Sequence, residues 1–229
     1  MTWNCNGGFW RKYTHLEQFA ADVLVIQECN DPAQSKDNAY RKWAGQNYAW
    51  IGHSANKGLG VFSRTDRGLT KLASVQSQRF FLPVRIGEIT VCGVWAHKAH
   101  DGSLHYCGQT HSYLSPPPDW LSDPLCIFLG DMNSSAIWDR PNRVWNHSAS
   151  VKILNESGLT SAYHHQHAVL QGAEIHPSFY LHRSGQKPYH IDYIFHGRGW
   201  ATQHCEIGSP DQWLEHSDHM PVVADLTLT

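Results

Sequence analysis

Charge is scarce in this sequence. Only 17% of its 229 residues are Asp, Glu, Lys or Arg, and 18 basic against 20 acidic residues leave a formal charge of -2. A disordered chain, a collagen-like repeat and a strongly basic coat for nucleic acid are therefore excluded. Contact with a polyanion must be local, made through a metal or a few aimed donors. Long hydrophobic runs are missing as well: none approaches the ~20 residues of a membrane-spanning helix, so no membrane partner is expected. The first residues carry neither a basic n-region nor an apolar h-region, and a cytoplasmic protein is expected. Cysteine pairs at metal or redox spacing are absent among Cys5, Cys29, Cys92, Cys107, Cys126 and Cys205. With no C-x-x-C, zinc-ribbon and thioredoxin readings fail, and buried reduced thiols are expected instead.

What the sequence has in excess is imidazole and indole, 17 His and 10 Trp. No repeat or linker divides the chain, so residues 1–229 read as a single domain. Ser115-Pro116-Pro117-Pro118 reads as a short rigid connection and not a boundary. Residues 2–4 read as the end of a first strand. Thr14-His15-Leu16-Glu17 matches a capping box, with Leu16, Phe19, Ala20 and Val23 at helical spacing after it. The β-branched run 23–26 predicts a strand buried on both faces. Asp37 should cap a helix carrying Tyr40 and Trp43 that stops at Gly45. Strands are expected at 48–51, 60–64, 80–85, 89–95, 125–129, 189–195 and 222–226. A helix with Val151 and Leu154 on one face should end at Gly158. Two packed sheets covered by helices account for this order.

Polar residues gather where the apolar strands stop. Run 23–26 leads into Gln27-Glu28, and run 125–129 into Gly130-Asp131-Met132-Asn133. The first strand ends in Trp3-Asn4-Cys5-Asn6-Gly7, and strand 89–95 delivers His97. His190-Ile191-Asp192-Tyr193 opens a strand, while Ser217-Asp218-His219-Met220-Pro221 precedes the last. Carboxylates, amides and imidazoles at strand ends are what a polar site on a sheet rim requires. The i, i+2 spacing of Asp131 and Asn133 on extended backbone would aim both side chains one way; an ordinary Asx turn is the blander alternative.

Taken in order, these five motifs resemble the endonuclease/exonuclease/phosphatase superfamily, and the resemblance spans residues 3 to 221. It implies a four-layered α-β-β-α sandwich of two packed mixed sheets flanked by helices. It also implies hydrolysis of a phosphate ester with Mg²⁺ or Mn²⁺. By motif, Glu28, Asn6 and Asp218 belong to the metal site, with Glu28 the principal ligand. Asn4 belongs with the phosphate and metal network. Asp131 would activate the attacking water, Asn133 would fix it and the phosphate, and Asp192 would orient His219. Val94-Trp95-Ala96-His97-Lys98-Ala99 stands where exonuclease III and apurinic endonucleases carry Asn-x-Tyr-x-Pro. A His there is similar to deoxyribonuclease I and sphingomyelinase members, which puts an abasic-site function in doubt. The segment Thr160-Ser161-Ala162-Tyr163-His164, with Gln171-Gly172 and Pro177-Ser178-Phe179, is similar to short bacterial members.

The chemistry asks for such a set on its own account. A phosphodiester is anionic, so attacking water must be brought to it and the developing charge neutralised. A hard cation held by carboxylate and amide oxygens can serve both ends, and an imidazole paired with a carboxylate can donate to a phosphoryl oxygen near neutral pH. His97 is expected to contact the phosphate as a donor opposite His219; capping its own strand is the ordinary role for such a residue. His100, His105, His111, His164, His165 and His167 lie in polar stretches, and His164-His165-x-His167 lacks an acidic partner at zinc-ligand spacing. Asn56-Lys57-Gly58 and Arg64 are candidate phosphate contacts. Trp138, Arg140, Arg143 and Trp145 are candidates for a row along the site, although core packing is the commoner fate of a Trp. The reading that follows is a monomeric metal-dependent phosphodiesterase acting on nucleic acid, DNA before RNA. A phosphatase or phospholipase C-like hydrolase of a small phosphorylated substrate is the alternative.

Overall fold

The computed structural model describes residues 1–73, 79–97, 104 and 106–229. Strands β1 (Thr2–Asn4), β2 (Val23–Cys29), β3 (Tyr48–Ser54) and β4 (Lys57–Ser63) come first. Next are β5 (Leu69–Lys71), β6 (Phe81–Ile86), β7 (Ile89–Trp95) and β8 (Cys126–Asp131). Then follow β9 (Leu159–Ser161), β10 (Phe179–Tyr180), β11 (Pro188–Tyr189), β12 (Asp192–Gly197), β13 (Trp200–Ile207) and β14 (Val222–Leu228). The α-helices are α1 (Asn38–Ala44), α2 (Cys107–Tyr113), α3 (His147–Glu156), α4 (Ala162–His167) and α5 (Pro210–Trp213).

Two six-stranded sheets pack face to face, in the orders β13-β14-β1-β2-β4-β3 and β5-β6-β7-β8-β12-β9. Each is mixed, with one parallel pair at its middle: β1 with β2, and β7 with β8. This is the α-β-β-α sandwich. It explains why the runs at β2 and β8 are apolar on both faces. Val25 and Leu129 point into the layer between the sheets, with Leu59, Val61, Leu82, Val91 and Ile194. Leu24 and Ile26 point outward, against Phe9, Leu16, Tyr40 and Phe62. Cys126 and Phe128 face Tyr113, Leu121, Val151 and Leu154 on the opposite outer side. Each fully buried aliphatic or aromatic side chain contributes roughly 1.5–3 kcal/mol relative to exposure. All six cysteines are buried and unpaired.

Local chemistry fixes the helix ends. The Asp37 carboxylate accepts from Tyr40 N at the start of α1, and Gly45 N closes on Arg41 O after its end. Helix α3 is capped at a distance: Asp139 accepts from His147 N (2.8 Å) and Ser148 N (3.1 Å), which suits the positive end of a helix. The capping box expected at Thr14 does not form. Residues Tyr13–Phe19 make a 3-10 helix with Lys12 at its cap and no side-chain bond there, and Ala20 ends it at φ 45°. Val23 therefore belongs to β2 and not to the helix. The strand expected over 189–195 is two strands, because Ile191 leaves the β10–β11 ribbon to accept from Met132 N. Strand β13 has no alternating apolar pattern in its sequence, since it is an edge strand with much of its surface in solvent.

Among the described residues, no helix is long and apolar enough to cross a membrane.

Candidate active site

The two parallel pairs end at the same rim. In one sheet Asn4 is in register with Gln27, and in the other Trp95 and Asp192 both flank Asp131. Two bonds join the sheets there: Asn4 Nδ2 donates to Asp131 Oδ2 (2.9 Å), and Gln27 Nε2 donates to Val94 O (3.1 Å). The approach of β8 to β7 is so close that a Cβ on Gly130 would lie 2.0 Å from Val94 O, and Gly130 sits at φ +147°. Glycine before Asp131 is a steric requirement of this rim.

Asp131 is fully buried and collects three N–H donors. Asn133 N donates to Oδ1 (2.8 Å), while Asn133 Nδ2 and Asn4 Nδ2 both donate to Oδ2 (2.9 Å each). Asn133 also donates to Ala96 O (2.8 Å). The pair meets by an Asx turn with Asn133 at φ 46°, and not by the extended backbone expected from the spacing. His219 stands opposite. Its Nδ1 donates to Asp192 (3.0 Å to Oδ2), and its Nε2 lies 3.9 Å from Asp131 Oδ2. That gap exceeds a hydrogen bond but admits one oxygen shared by both groups. Burial pushes the Asp131 carboxyl up, against the pull of His219. Burial disfavours the charged His219, yet Asp192 and Asp131 override it and raise its pKa to about 9. Two buried carboxylates facing one imidazole favour its charged form, and His219 is where this cluster holds its proton near neutral pH.

Three residues at this rim hold left-handed backbone without being glycine: Asn6 (φ 52°), Glu28 (φ 59°) and Asn133 (φ 46°). Such strain is retained where the surroundings over-determine it, and it gathers at functional sites. Glu28 sits at a bulge between Gln27 and Cys29, and Asn6 lies two residues past β1. Asn6 Nδ2 donates to Asp218 Oδ1 (2.9 Å), and Asn6 N donates to Asn4 Oδ1 (3.1 Å). The Lys57 ammonium pairs with the Glu28 carboxylate at 2.8 Å. Asp218 and the Asn6 amide meet here, and Glu28 stands near the end of the strand beside β1; carboxylate and amide oxygens of this kind are the donors that suit a hard divalent ion. That mostly buried Glu28 takes up a lysine ammonium is an observation of the same preference for positive charge. Asp131, Asp192 and His219 also place ligand atoms within 4.8 Å of one another. They are fully or nearly fully buried and already bonded, leaving little room for the waters a Mg²⁺ ion keeps.

His97 follows Ala96, the acceptor of Asn133, and its ring lies among Phe80 (4.6 Å), Trp95 (5.4 Å) and His53 (6.0 Å). Its backbone N–H is taken by Gln109 Oε1 (3.2 Å). Lys98, Ala99, His100 and His105 lie outside the described residues. Arg64 is at the wrong rim for a phosphate contact. It lies beyond Ser63, opposite Val23 at the start of β2, with its guanidinium 3.7 Å above the Trp43 ring. Trp145 is covered by Arg143 at 4.6 Å, whereas Trp138 meets Tyr189 at 4.9 Å. His164 does have an acidic partner, Glu174, ten residues on (3.0 Å); a flexible spacing of that length carries no ligand signature.

Ser178 was named in the sequence only as part of a similar segment, and it proves central. Fully buried, it donates to Asp192 Oδ2 (2.7 Å) and accepts from Ile191 N and Asp192 N (3.0 Å each). Met220 N donates to its carbonyl (2.7 Å), so one serine ties the Asp192 strand to the His219 segment. Ser217 does the same for β1, donating to Asn4 O (2.7 Å) and accepting from His219 N (3.0 Å). No spacing or composition marks either serine.

The family model for the endonuclease/exonuclease/phosphatase family matches residues 1–219. The chain belongs to that family. Its enzymes are metal-dependent hydrolases of phosphoric esters. No curated protein matches the sequence significantly. Among solved structures, an AP endonuclease from Archaeoglobus fulgidus superposes with TM-score 0.70 at 18% identity, over 99% of this chain and 98% of the other. A 3′ phosphatase from Neisseria bound to product DNA hairpin gives 0.71 at 17%, over 99% and 98%. An endonuclease/exonuclease/phosphatase from Beutenbergia cavernae gives 0.65 at 15%, over 99% of this chain and 70% of the other. At these identities the likeness establishes the fold.

A second set of imidazoles lies behind this family site and bears on stability. Burial lowers His190 to about 4 and lowers His147 as well. His190 stays neutral in the folded protein down to about pH 4, while the unfolded chain titrates near 6.5. As pH falls from 6.5 toward 4, only the unfolded state gains this proton, so the contribution of His190 to stability falls by about 3 kcal/mol across the full window, opposite in sign to that of the raised His219. The loss of Tm on going from pH 6.5 to 5 should therefore be smaller in His190→Gln than in wild type. The same pH dependence in both would contradict the buried neutral imidazole.

Proposed function

We propose that this protein is a divalent-metal-dependent nuclease that hydrolyses phosphodiester bonds of DNA by assisted attack of water. The observation that carries the reading is the 3.9 Å gap between Asp131 and His219, one held by two asparagines and the other by Asp192, beside carboxylate and amide oxygens. In this reading Asn4 and Asn133 orient the Asp131 carboxylate toward the attacking water and help hold the phosphate. His219, charged and backed by Asp192, donates to a phosphoryl oxygen as negative charge develops. His97 donates from the β7 end of the rim. A divalent ion held by Glu28, Asn6 and Asp218 would supply Lewis-acid neutralisation of the phosphate charge.

The formal charge of -2 favours one second reading, a phosphatase or phospholipase C-like hydrolase, because a small head group needs no basic groove. The deciding measurement offers purified protein, with Mg²⁺ or Mn²⁺, labelled single- and double-stranded DNA, RNA, a 3′-phosphorylated oligonucleotide and a small phosphodiester. Cleavage within the DNA chain, at kcat/KM at least ~10-fold above the small ester, is expected. Hydrolysis of terminal phosphates or small esters alone would replace this reading with the second.

A further inference from the structure

Beyond the polar cluster a row of rings starts at His219. Phe179 forms a bridge with His219, and the two rings are 4.5 Å apart. Across the β10–β11 ribbon Phe179 pairs with Tyr189, the rings nearly parallel at 6.4 Å. Tyr189 in turn meets Trp138 at 4.9 Å. Phe179 and Tyr189 are half-buried, whereas Trp138 is 41% exposed and Ile137 beside it 54%. Trp138 nonetheless sits on firm backbone. Its N–H donates to Ser135 O (3.1 Å), and its carbonyl accepts from Arg143 Nη2 (3.0 Å) while Arg143 Nε donates to Asn146. The 3-10 turn Ala136–Trp138 begins three residues after Asn133, so the row and the Asp131 loop are one continuous segment.

We propose that Trp138, backed by Tyr189, is a stacking site for an unpaired base of a single-stranded nucleic acid whose scissile phosphate lies at His219. The proposal rests on the nuclease reading and adds the strand state of the substrate. Two ring-to-ring steps beyond Phe179 put Trp138 past the group esterified directly to the scissile phosphate, so its ligand belongs to a neighbouring nucleotide. A protein without a general positive field must hold a nucleic acid by local contacts, and stacking on an indole contributes about 1–3 kcal/mol per base whatever the base. A base pair inside a duplex keeps both faces stacked on its neighbours and cannot lie on Trp138.

The test compares wild type with Trp138→Ala and Trp138→Phe on a single-stranded oligonucleotide, a blunt duplex and methyl p-nitrophenyl phosphate. Trp138→Ala should raise KM for the single strand by about 5- to 150-fold, the range of one lost stack. Its kcat should stay within about twofold, because the ring holds ground and transition states alike. Trp138→Phe should recover most of the loss, and the base-free ester should be unaffected. An unchanged KM for the single strand, or an equal rise for all three substrates, would overturn the stacking site while leaving the nuclease reading in place. Binding of phosphatidylcholine vesicles that Trp138→Ala abolishes would also overturn it, by showing a lipid-facing surface. A wild type that hydrolyses only the base-free ester would overturn the nuclease reading and this site with it.

Discussion

Asp131→Asn is expected to lower turnover at least ~100-fold in a protein that still folds, which corresponds to about 2.7 kcal/mol of transition-state stabilisation. The substitution preserves size but removes the charge on which three N–H donors converge, and it turns one of them against another N–H. His219→Gln, which keeps a neutral donor, should lose a similar factor because it cannot carry the proton that Asp192 and Asp131 hold on the imidazole. His219→Ala should lose as much turnover and also stability, since Asp131 and Asp192 would remain buried without their cation; removing one partner of such a cluster costs roughly 3–5 kcal/mol. Steady-state kinetics with circular dichroism would check all three. Near wild-type turnover in folded Asp131→Asn would reject the site.

Removal of divalent metal should have the second large effect. Exhaustive dialysis against EDTA is expected to abolish activity, and added Mg²⁺ or Mn²⁺ to restore it. Glu28→Gln should raise the metal concentration for half-maximal activity at least ~10-fold, because the amide gives up the charge that draws a hard ion. Its folding should suffer little, as the lost partner Lys57 is 54% exposed and a pair so placed contributes about 0–1 kcal/mol. Melting offers an independent readout. A metal bound by the folded state alone raises Tm with concentration, and the rise should be smaller in Glu28→Gln. Full activity after dialysis would refute the metal site.

How much of this could be read before folding depended on whether a feature was local. The apolar runs at β2 and β8 announced strands buried on both faces, and Asp37 with Gly45 bounded α1 by cap chemistry that acts within one turn. The polar clusters at strand ends identified the rim because a strand that stops at a rim delivers its last side chains there. What escaped was set by partners distant in sequence. Ser178 serves Asp192, Asp139 caps α3 from eight residues away, and His164 meets Glu174 ten residues on. Arg64 failed as a phosphate contact because β4 runs antiparallel to β2, which sends it to the opposite rim. The Thr14 box failed because a seven-residue 3-10 segment took the place of an α-helix.

The register of β1 has a consequence for the order of events during synthesis. Three residues long, β1 lies inside its sheet between β2 and β14, with Thr2 opposite Val222. Trp3 Nε1 donates to His219 O, and Ser217 donates to Asn4 O, across more than 200 residues. A ribosome-bound chain that has already made Glu28 and Asp131 still lacks the segment that orders Asn4 and faces Asp131. The complete site, with His219 facing Asp131, cannot assemble before that segment is made. Hydrolytic competence arrives with the closure of β14 on β1, a long-range step of the kind that makes high-contact-order topologies fold slowly.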